Sequence, residues 1–220
     1  MKKILVIFLA CMLFPVVALC STTKILDQDA DLHPQGWTSG TLKFKQGSSV
    51  EFNEQGEVIS GVLKYNEVLH SLGRGRFFGY PLGSHITSNY LNFKADSGIT
   101  FDEHGLVISG TLTDDTYLYL IYMSEPEVKF QGGTTILFDK NGNVSKGVLN
   151  KDALLRPAGS KIFSPNNAGF LTFKAGTEVV FGPDARVIKG TIANDITVKG
   201  ITYLAGTTLQ FNESGYPQKI

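Results

Sequence analysis

Cysteine is nearly absent. The chain has two, Cys11 and Cys20, and both fall within its first twenty positions. Past residue 20 no disulfide and no thiol metal site can form, even in an oxidising compartment. An excess of one charge is also lacking, since 20 Lys and Arg face 20 Asp and Glu. That balance gives no electrostatic footprint for nucleic acid or for an anionic membrane. The four histidines, His33, His70, His85 and His104, lack the i, i+4 or short-loop spacing of metal ligands. A Ser-His-Asp signature and a phosphate-binding glycine loop are missing. Beyond residue 20, no segment carries apolar residues at helical spacing, so almost no helix is expected. These absences predict no metal, no cofactor and no enzyme active site.

What is present is glycine (24), phenylalanine (15) and a 42% hydrophobic composition with 18% charge. That is enough apolar material for a core and too little charge for a disordered chain. Many Gly with many Phe point to short strands joined by tight turns.

The first twenty residues differ from the rest. Lys2 and Lys3 precede Ile4 to Leu19, sixteen residues without a charge. This run falls short of the roughly 20 residues that span a bilayer as a helix. It reads as a secretory signal with Ala18-Leu19-Cys20 at the cleavage site and Ser21 as the mature start. A retained anchor and lipid attachment at Cys20 are the alternatives. The expected organisation is a signal peptide over 1–20 and a single β-repeat domain over 21–220, with no transmembrane segment in the mature chain. Removing Lys2 and Lys3 leaves 18 basic against 20 acidic residues, a net charge of −2. The expected address is the periplasm or the cell exterior.

Internal repetition dominates the remainder. Leu42, Phe44, Gly47, Val50, Phe52, Gly56, Val58, Gly61 and Leu63 set the pattern. It returns from Leu91 and Phe93 to Gly110 and Leu112, and from Val128 and Phe130 to Gly147 and Leu149. It returns again from Leu171 and Phe173 to Gly190 and Ile192, and in part from Ile201 and Tyr203 to Gly215. Each unit has a tail in which Asn66, Asp115, Asp152 or Asp195 precedes Leu69, Leu118, Leu155 or Val198 by three residues. Asp29 and Leu32 repeat that tail ahead of the first full unit, so the array is expected to begin and end with a half unit.

Alternation in Leu-x-Phe and Val-x-Phe puts both apolar side chains on one face of a strand. Asn53-Glu54-Gln55-Gly56, Asp102-Glu103-His104-Gly105 and Asp139-Lys140-Asn141-Gly142 are turn sequences. Asn or Asp opens a type I turn, and Gly takes the left-handed residue that follows. In the fourth unit Ala185 stands where Gly is wanted, at an expected cost of about 1 kcal/mol. A reversing turn makes the paired strands antiparallel. A lone hairpin is marginal, but stacked units share a core. The predicted fold is all-β, an elongated array of antiparallel β-hairpin repeats with its apolar face built from Phe44, Phe52, Phe93, Phe101, Phe130, Phe138, Phe173, Phe181 and Phe211. A parallel β-helix is the alternative.

The motif Phe-x-x-x-Gly-x-Val-x-x-Gly-Thr-Leu at 101–112, nearly repeated at 52–63, resembles repeats in uncharacterised exported bacterial proteins. It is also distantly similar to the MORN class of short β-hairpin repeats. The MORN unit is shorter and carries an aromatic-Gly pattern that this chain lacks. The resemblance covers nearly all of residues 29–220. It implies a hairpin array used for binding or scaffolding, implies no enzyme, and transfers no functional residue.

Unit starts are spaced by 49, 37, 43 and 30 residues. The excess over 30 always falls after the tail aliphatic, in the segments 70–90, 119–127 and 156–169. Insertions at one point of a repeat map to one face of the array, often the binding face. The first contains Arg74, Arg76, Phe77, Phe78 and Tyr80, and the others contribute Tyr119, Tyr122, Arg156 and Phe163. Arg and aromatics are enriched at binding hot spots, so these nine are the candidate partner-binding residues, with a protein or a glycan as partner. The run Arg74 to Tyr80 also has the composition of single-stranded nucleic-acid binders, but in a neutral exported chain no nucleic-acid partner is expected. Trp37, the only Trp, is expected to cap the end of the array, and the stretch before it (His33-Pro34-Gln35-Gly36) echoes Arg156-Pro157-Ala158-Gly159. The alternative function is an envelope enzyme acting on a carbohydrate through Asp114, Glu125 and Glu127. Against it, Asp115 fills the repeated tail slot, where a turn hydrogen bond is the expected role.

Overall fold

A computed structural model describes residues 21–76, 87–120, 127–159, 169–212 and 216–220. The alternation of buried and half-buried positions in Leu42–Phe44 and its copies is that of strands lying on a core. A full unit supplies four strands, and the same four recur in order. The first strands are β3 (Leu42–Phe44), β7 (Thr87–Phe93), β11 (Glu127–Phe130), β15 (Leu171–Phe173) and β19 (Ile201–Tyr203). The second strands are β4 (Ser49–Phe52), β8 (Gly98–Phe101), β12 (Thr135–Phe138), β16 (Glu178–Phe181) and β20 (Thr208–Gln210). The third strands are β5 (Val58–Val62), β9 (Val107–Thr111), β13 (Val144–Val148), β17 (Val187–Thr191) and the short β21 (Gln218–Lys219). β1 (Thr22–Ile25) takes a third-strand place ahead of them. The tails are β2 (Ala30–Leu32), β6 (Glu67–Arg76), β10 (Thr116–Tyr119), β14 (Ala153–Leu155) and β18 (Ile196–Val198).

Second and third strands build one long sheet in the order β1-β4-β5-β8-β9-β12-β13-β16-β17-β20-β21, every neighbour antiparallel. This excludes the parallel β-helix. Each tail pairs with the first strand of the next unit as a hairpin: β2–β3, β14–β15 and β18–β19 stand as separate two-stranded sheets, while β6–β7 and β10–β11 join each other through β6 and β10 and reach the long sheet through a parallel pairing of β6 with β9. Isolated bridges from Phe44 to Leu63, Phe93 to Leu112, Phe130 to Leu149 and Phe173 to Ile192 tie these hairpins back to the sheet. The sheet is not closed into a barrel.

The core lies between the hairpins and the long sheet, and its repeating contact is a ring over a glycine. Phe44, Phe93, Phe130 and Phe173 are 0% exposed. A Cβ at Gly61, Gly110, Gly147 or Gly190 would lie 2.5–2.7 Å from the nearest atom of the paired ring or, at Gly147, of Ile136. The missing side chain is therefore the seat of the ring. Phe101, Phe138, Phe181 and Phe211 are also buried, and Phe52 is partly so.

The turns between second and third strands follow the sequence expectation. Oδ1 of Asn53, Asp102 and Asp139 accepts hydrogen bonds from the backbone N–H groups two and four residues on, at 2.8–3.0 Å. The register slips by one residue beside each turn, a β-bulge. Gly56, Gly105 and Gly142 have φ of 79° to 81°, and Ala185 is held at 58° in the same place. The tail residues also do one job five times. Asp29, Asn66, Asp115, Asp152 and Asp195 accept the N–H of Gln46, Ala95, Gly132, Ala175 and Ala205 at 2.7–3.0 Å, which pins the next unit's first turn.

Candidate functional site

All insertions leave the array at one place, the turn between a tail and the next first strand. Where there is no insertion, β18 and β19 are joined by Lys199-Gly200, both with positive φ (49° and 79°). That is the tight hairpin turn whose twist matches the strands. Three of the longer links depart from it alike. Two residues past the tail aliphatic, Pro34, Ser71 (still within β6) and Pro157 each form a parallel bridge, to Val58, Val107 and Val187. Residues 33–36 and 156–159 match in hydrogen bonding as well as in sequence: Val58 and Val187 N–H donate to His33 and Arg156 O, and Gln35 and Ala158 N–H donate to Val58 and Val187 O, at 2.8–3.0 Å.

From there the first two links run over second-to-third-strand turns of the following unit. Trp37 meets Phe101 edge to face at 6.4 Å between centroids, and its Nε1 donates to Gly105 O at 3.1 Å. Gln35 Nε2 donates to Phe101 O at 2.8 Å. The next link repeats the move one unit on. A Cβ at Gly73 would strike the Phe138 ring, and one at Gly142 would lie 2.5 Å from Leu72 O. Trp37 therefore does not cap the end of the array, as its position near the start of the repeats predicts; it clamps the first unit to the second. The 70–90 segment is not wholly loop either, because β6 runs to Arg76 and pairs it with Thr87.

Where the first link, the β6–β7 hairpin and the 102–105 turn meet, they border an open cleft of about 370 Å³. Trp37, Thr38 and Ser39 form one wall, and Val68, His70 and Tyr90 form another. His104 and Gly105 close one side. His70 and Tyr90 are cross-strand partners, and their rings stack at 4.9 Å with 17° between planes. Tyr90 is 56% exposed. Cross-strand ring pairs of this kind hold each other's rotamers.

His33 fixes the link that carries Trp37. Its Nδ1 lies 2.7 Å from Gly40 O and its Nε2 lies 2.9 Å from Trp37 O. Both partners are carbonyls, which only accept, so both ring nitrogens must carry protons for both bonds to form. The Gly40 and then the Trp37 carbonyl raise the His33 pKa above the ordinary imidazole value; Glu57 adds to this and partial burial opposes it.

A second recess, about 210 Å³, lies between β11 and β14 and is lined by Glu127, Lys129, Lys151 and Asp152 among others. Beside it, the Tyr117 ring is flanked by Lys129 Nζ at 5.8 Å and Lys151 Nζ at 5.7 Å. Asp115 is held below the usual carboxylate range, first by the Gly132 N–H and then by Lys129 and Asn150. Among the described residues no three of His, Cys, Asp and Glu gather as a metal site. No helix among them is long and apolar enough to cross a membrane.

Of the candidate binding residues, Tyr119 lies half-buried at the end of β10, opposite Glu127. Arg156 is half-buried, with its guanidinium 4.7 Å above the Phe170 ring. Arg74 and Arg76 lie toward the far end of β6. Phe77, Phe78, Tyr80, Tyr122 and Phe163 fall outside the described residues, as do His85 and Glu125. The cleft at Trp37, His70, Tyr90 and His104 is a grouping that the sequence reading did not make. The signal available for it was the echo between 33–36 and 156–159, which marks residues 33–40 as a fourth insertion. No family model matches the chain, and neither a curated protein nor a solved structure shows significant similarity to it.

Proposed function

We propose that this chain is an exported, non-enzymatic repeat protein that binds a partner along the edge where its insertions lie. The observation that carries this reading is the aromatic cleft, assembled from one insertion, an extended hairpin and the neighbouring turn. The repeated hydrogen bonds and buried rings are occupied with holding units together, which leaves the insertions as the variable part. Binding sites are concave and ring-lined, with polar groups placed among the rings; the cleft sets Trp37, His70 and Tyr90 beside Thr38, Ser39 and His104. The alternative, a carbohydrate enzyme, would rest on Asp114, Glu125 and Glu127; Asp115, next to Asp114, is engaged in pinning a turn, and Glu125 falls outside the described residues.

Cross-linking mass spectrometry on the protein in the envelope of its host tests the proposal. Cross-links to a partner should concentrate at residues 33–40, 68–70, 90 and 104–106. Cross-links concentrated on the opposite sheet face, at Ser60, Thr100, Ser109 and Lys146, would overturn it.

A further inference from the structure

We infer that the ligand of the Trp37–Tyr90 cleft is an uncharged glycan chain, held by sugar rings stacked on exposed Tyr90 and beside half-buried Trp37; this rests on the reading of the insertion edge as the binding face. Three features select that chemistry. The first is charge. Among the described residues lining the cleft there is no Asp, Glu, Lys or Arg, and His70 and His104 are its titratable side chains apart from Tyr90. A phosphate, a uronic acid or an ammonium group would find no permanently charged partner there, and leaving a charge unpaired is costly. Glu103 approaches His104 Nε2 at 3.6 Å but does not line the cleft.

The second feature is the aromatic surface. Tyr90 is braced by His70 at 4.9 Å, and Trp37 is fixed by its indole N–H and by the His33 clamp. A pyranose has one face of C–H bonds and an equatorial rim of hydroxyls. The C–H face packs on a π-surface, whose face is electron-rich. The rim can hydrogen-bond to Thr38 and Ser39.

The third feature is shape. At about 370 Å³ the cleft is at the small end of the roughly 300–1,000 Å³ range of ligand sites. It lies open along the edge of the array, so a chain can pass through it with only part of its length enclosed.

Trp37 is the only Trp in the chain, so its fluorescence reports this cleft alone. The full chain is titrated with xylan, mixed-linkage glucan, mannan, amylose and chitin oligosaccharides, and with heparin and polygalacturonate as charged controls. The expected result is a saturable change with at least one uncharged polysaccharide and none with the charged pair. Tyr90→Ala should weaken binding roughly tenfold, and Tyr90→Phe should stay within about twofold of wild type. Tyr65→Ala, exposed but outside the cleft, should change nothing. Urea unfolding of each variant verifies that it is folded. Failure of every uncharged polysaccharide, or unchanged affinity in a folded Tyr90→Ala variant, overturns the glycan assignment. If that happens while cross-links still fall on the insertion edge, the binding-edge reading stands and the ligand is a protein. If the cross-links also miss the edge, both readings fall.

Discussion

Gly110→Ala should destabilise the array far more than a single methyl group in a strand ordinarily does. The added Cβ would lie 2.5 Å from Phe93 Cδ1 and 2.8 Å from Cε1. The obstructing atoms belong to a ring that is 0% exposed, so it cannot swing aside as a flexible surface chain would. Overpacking of a well-filled core costs about 1–3 kcal/mol, and a fully enclosed ring puts this case near the upper end, about 2–3 kcal/mol. Gly98→Ala is the matched control. Gly98 also sits in a strand, with no positive φ and nothing within 4 Å of an added Cβ. It should be neutral or stabilise by about 0.4–1 kcal/mol through the unfolded chain. Urea unfolding at constant m reads both. Pairing Gly110→Ala with Phe93→Leu, which removes the ring edge, should show a coupling of at least about 1 kcal/mol in a double-mutant cycle. Gly110→Ala behaving like Gly98→Ala, or strict additivity with Phe93→Leu, would refute the idea that the glycine is the seat of the ring.

Other outcomes follow from the same structure. Asp152→Ala should cost about 1 kcal/mol by removing the acceptor of the Ala175 N–H. Asp152→Asn should be near neutral, because Asn66 already fills that slot in another unit; urea midpoints of the two variants decide it. Replacing residues 77–86 by Asn-Gly should leave the urea midpoint within experimental error, because Arg76 and Thr87 are already paired and a two-residue turn can join them; removal of Leu72 and Gly73 as well should not be tolerated, since both pack on the third unit. The Trp37 link should loosen as pH rises. The folded His33 pKa is raised, so the clamp is complete below the unfolded value of about 6.5 and is lost as pH climbs through the higher folded value. Trp37 fluorescence anisotropy should fall across that window. Glu57, His70 and His104 also face the link, so His33→Asn is the control, and it should have low anisotropy at every pH.

Periodicity made the scaffold legible. Alternating Leu-x-Phe and Val-x-Phe, the Asx-x-x-Gly turns and the tail acids all stand where the repeat places them. Even the strain at Ala185 is visible from the one unit that breaks the turn rule. Pairing beyond the unit was less legible. Nothing local says that a tail strand pairs forward with the next unit's first strand, because both partners carry the same apolar alternation and the choice is made by packing. The cleft was illegible for a related reason. Trp37 lies 68 positions before Gly105, to which its N–H donates, and His70 and Tyr90 meet through the fold of an insertion that no other unit repeats. His104 read as an ordinary turn residue, because its slot is filled elsewhere by Gln55 and Asn141. Only the crossing of one insertion onto the next unit's turn puts it beside an aromatic wall.

Amide hydrogen exchange on the intact chain, free and with the polysaccharide that changes Trp37 fluorescence, locates the binding face. Protection should rise over residues 36–39, 68–70 and 104–106, with none gained over the opposite sheet face at Ser60, Thr100 and Lys146. Protection gained on that opposite face, with the Trp37 link unchanged, would contradict the reading of the insertion edge as the binding face.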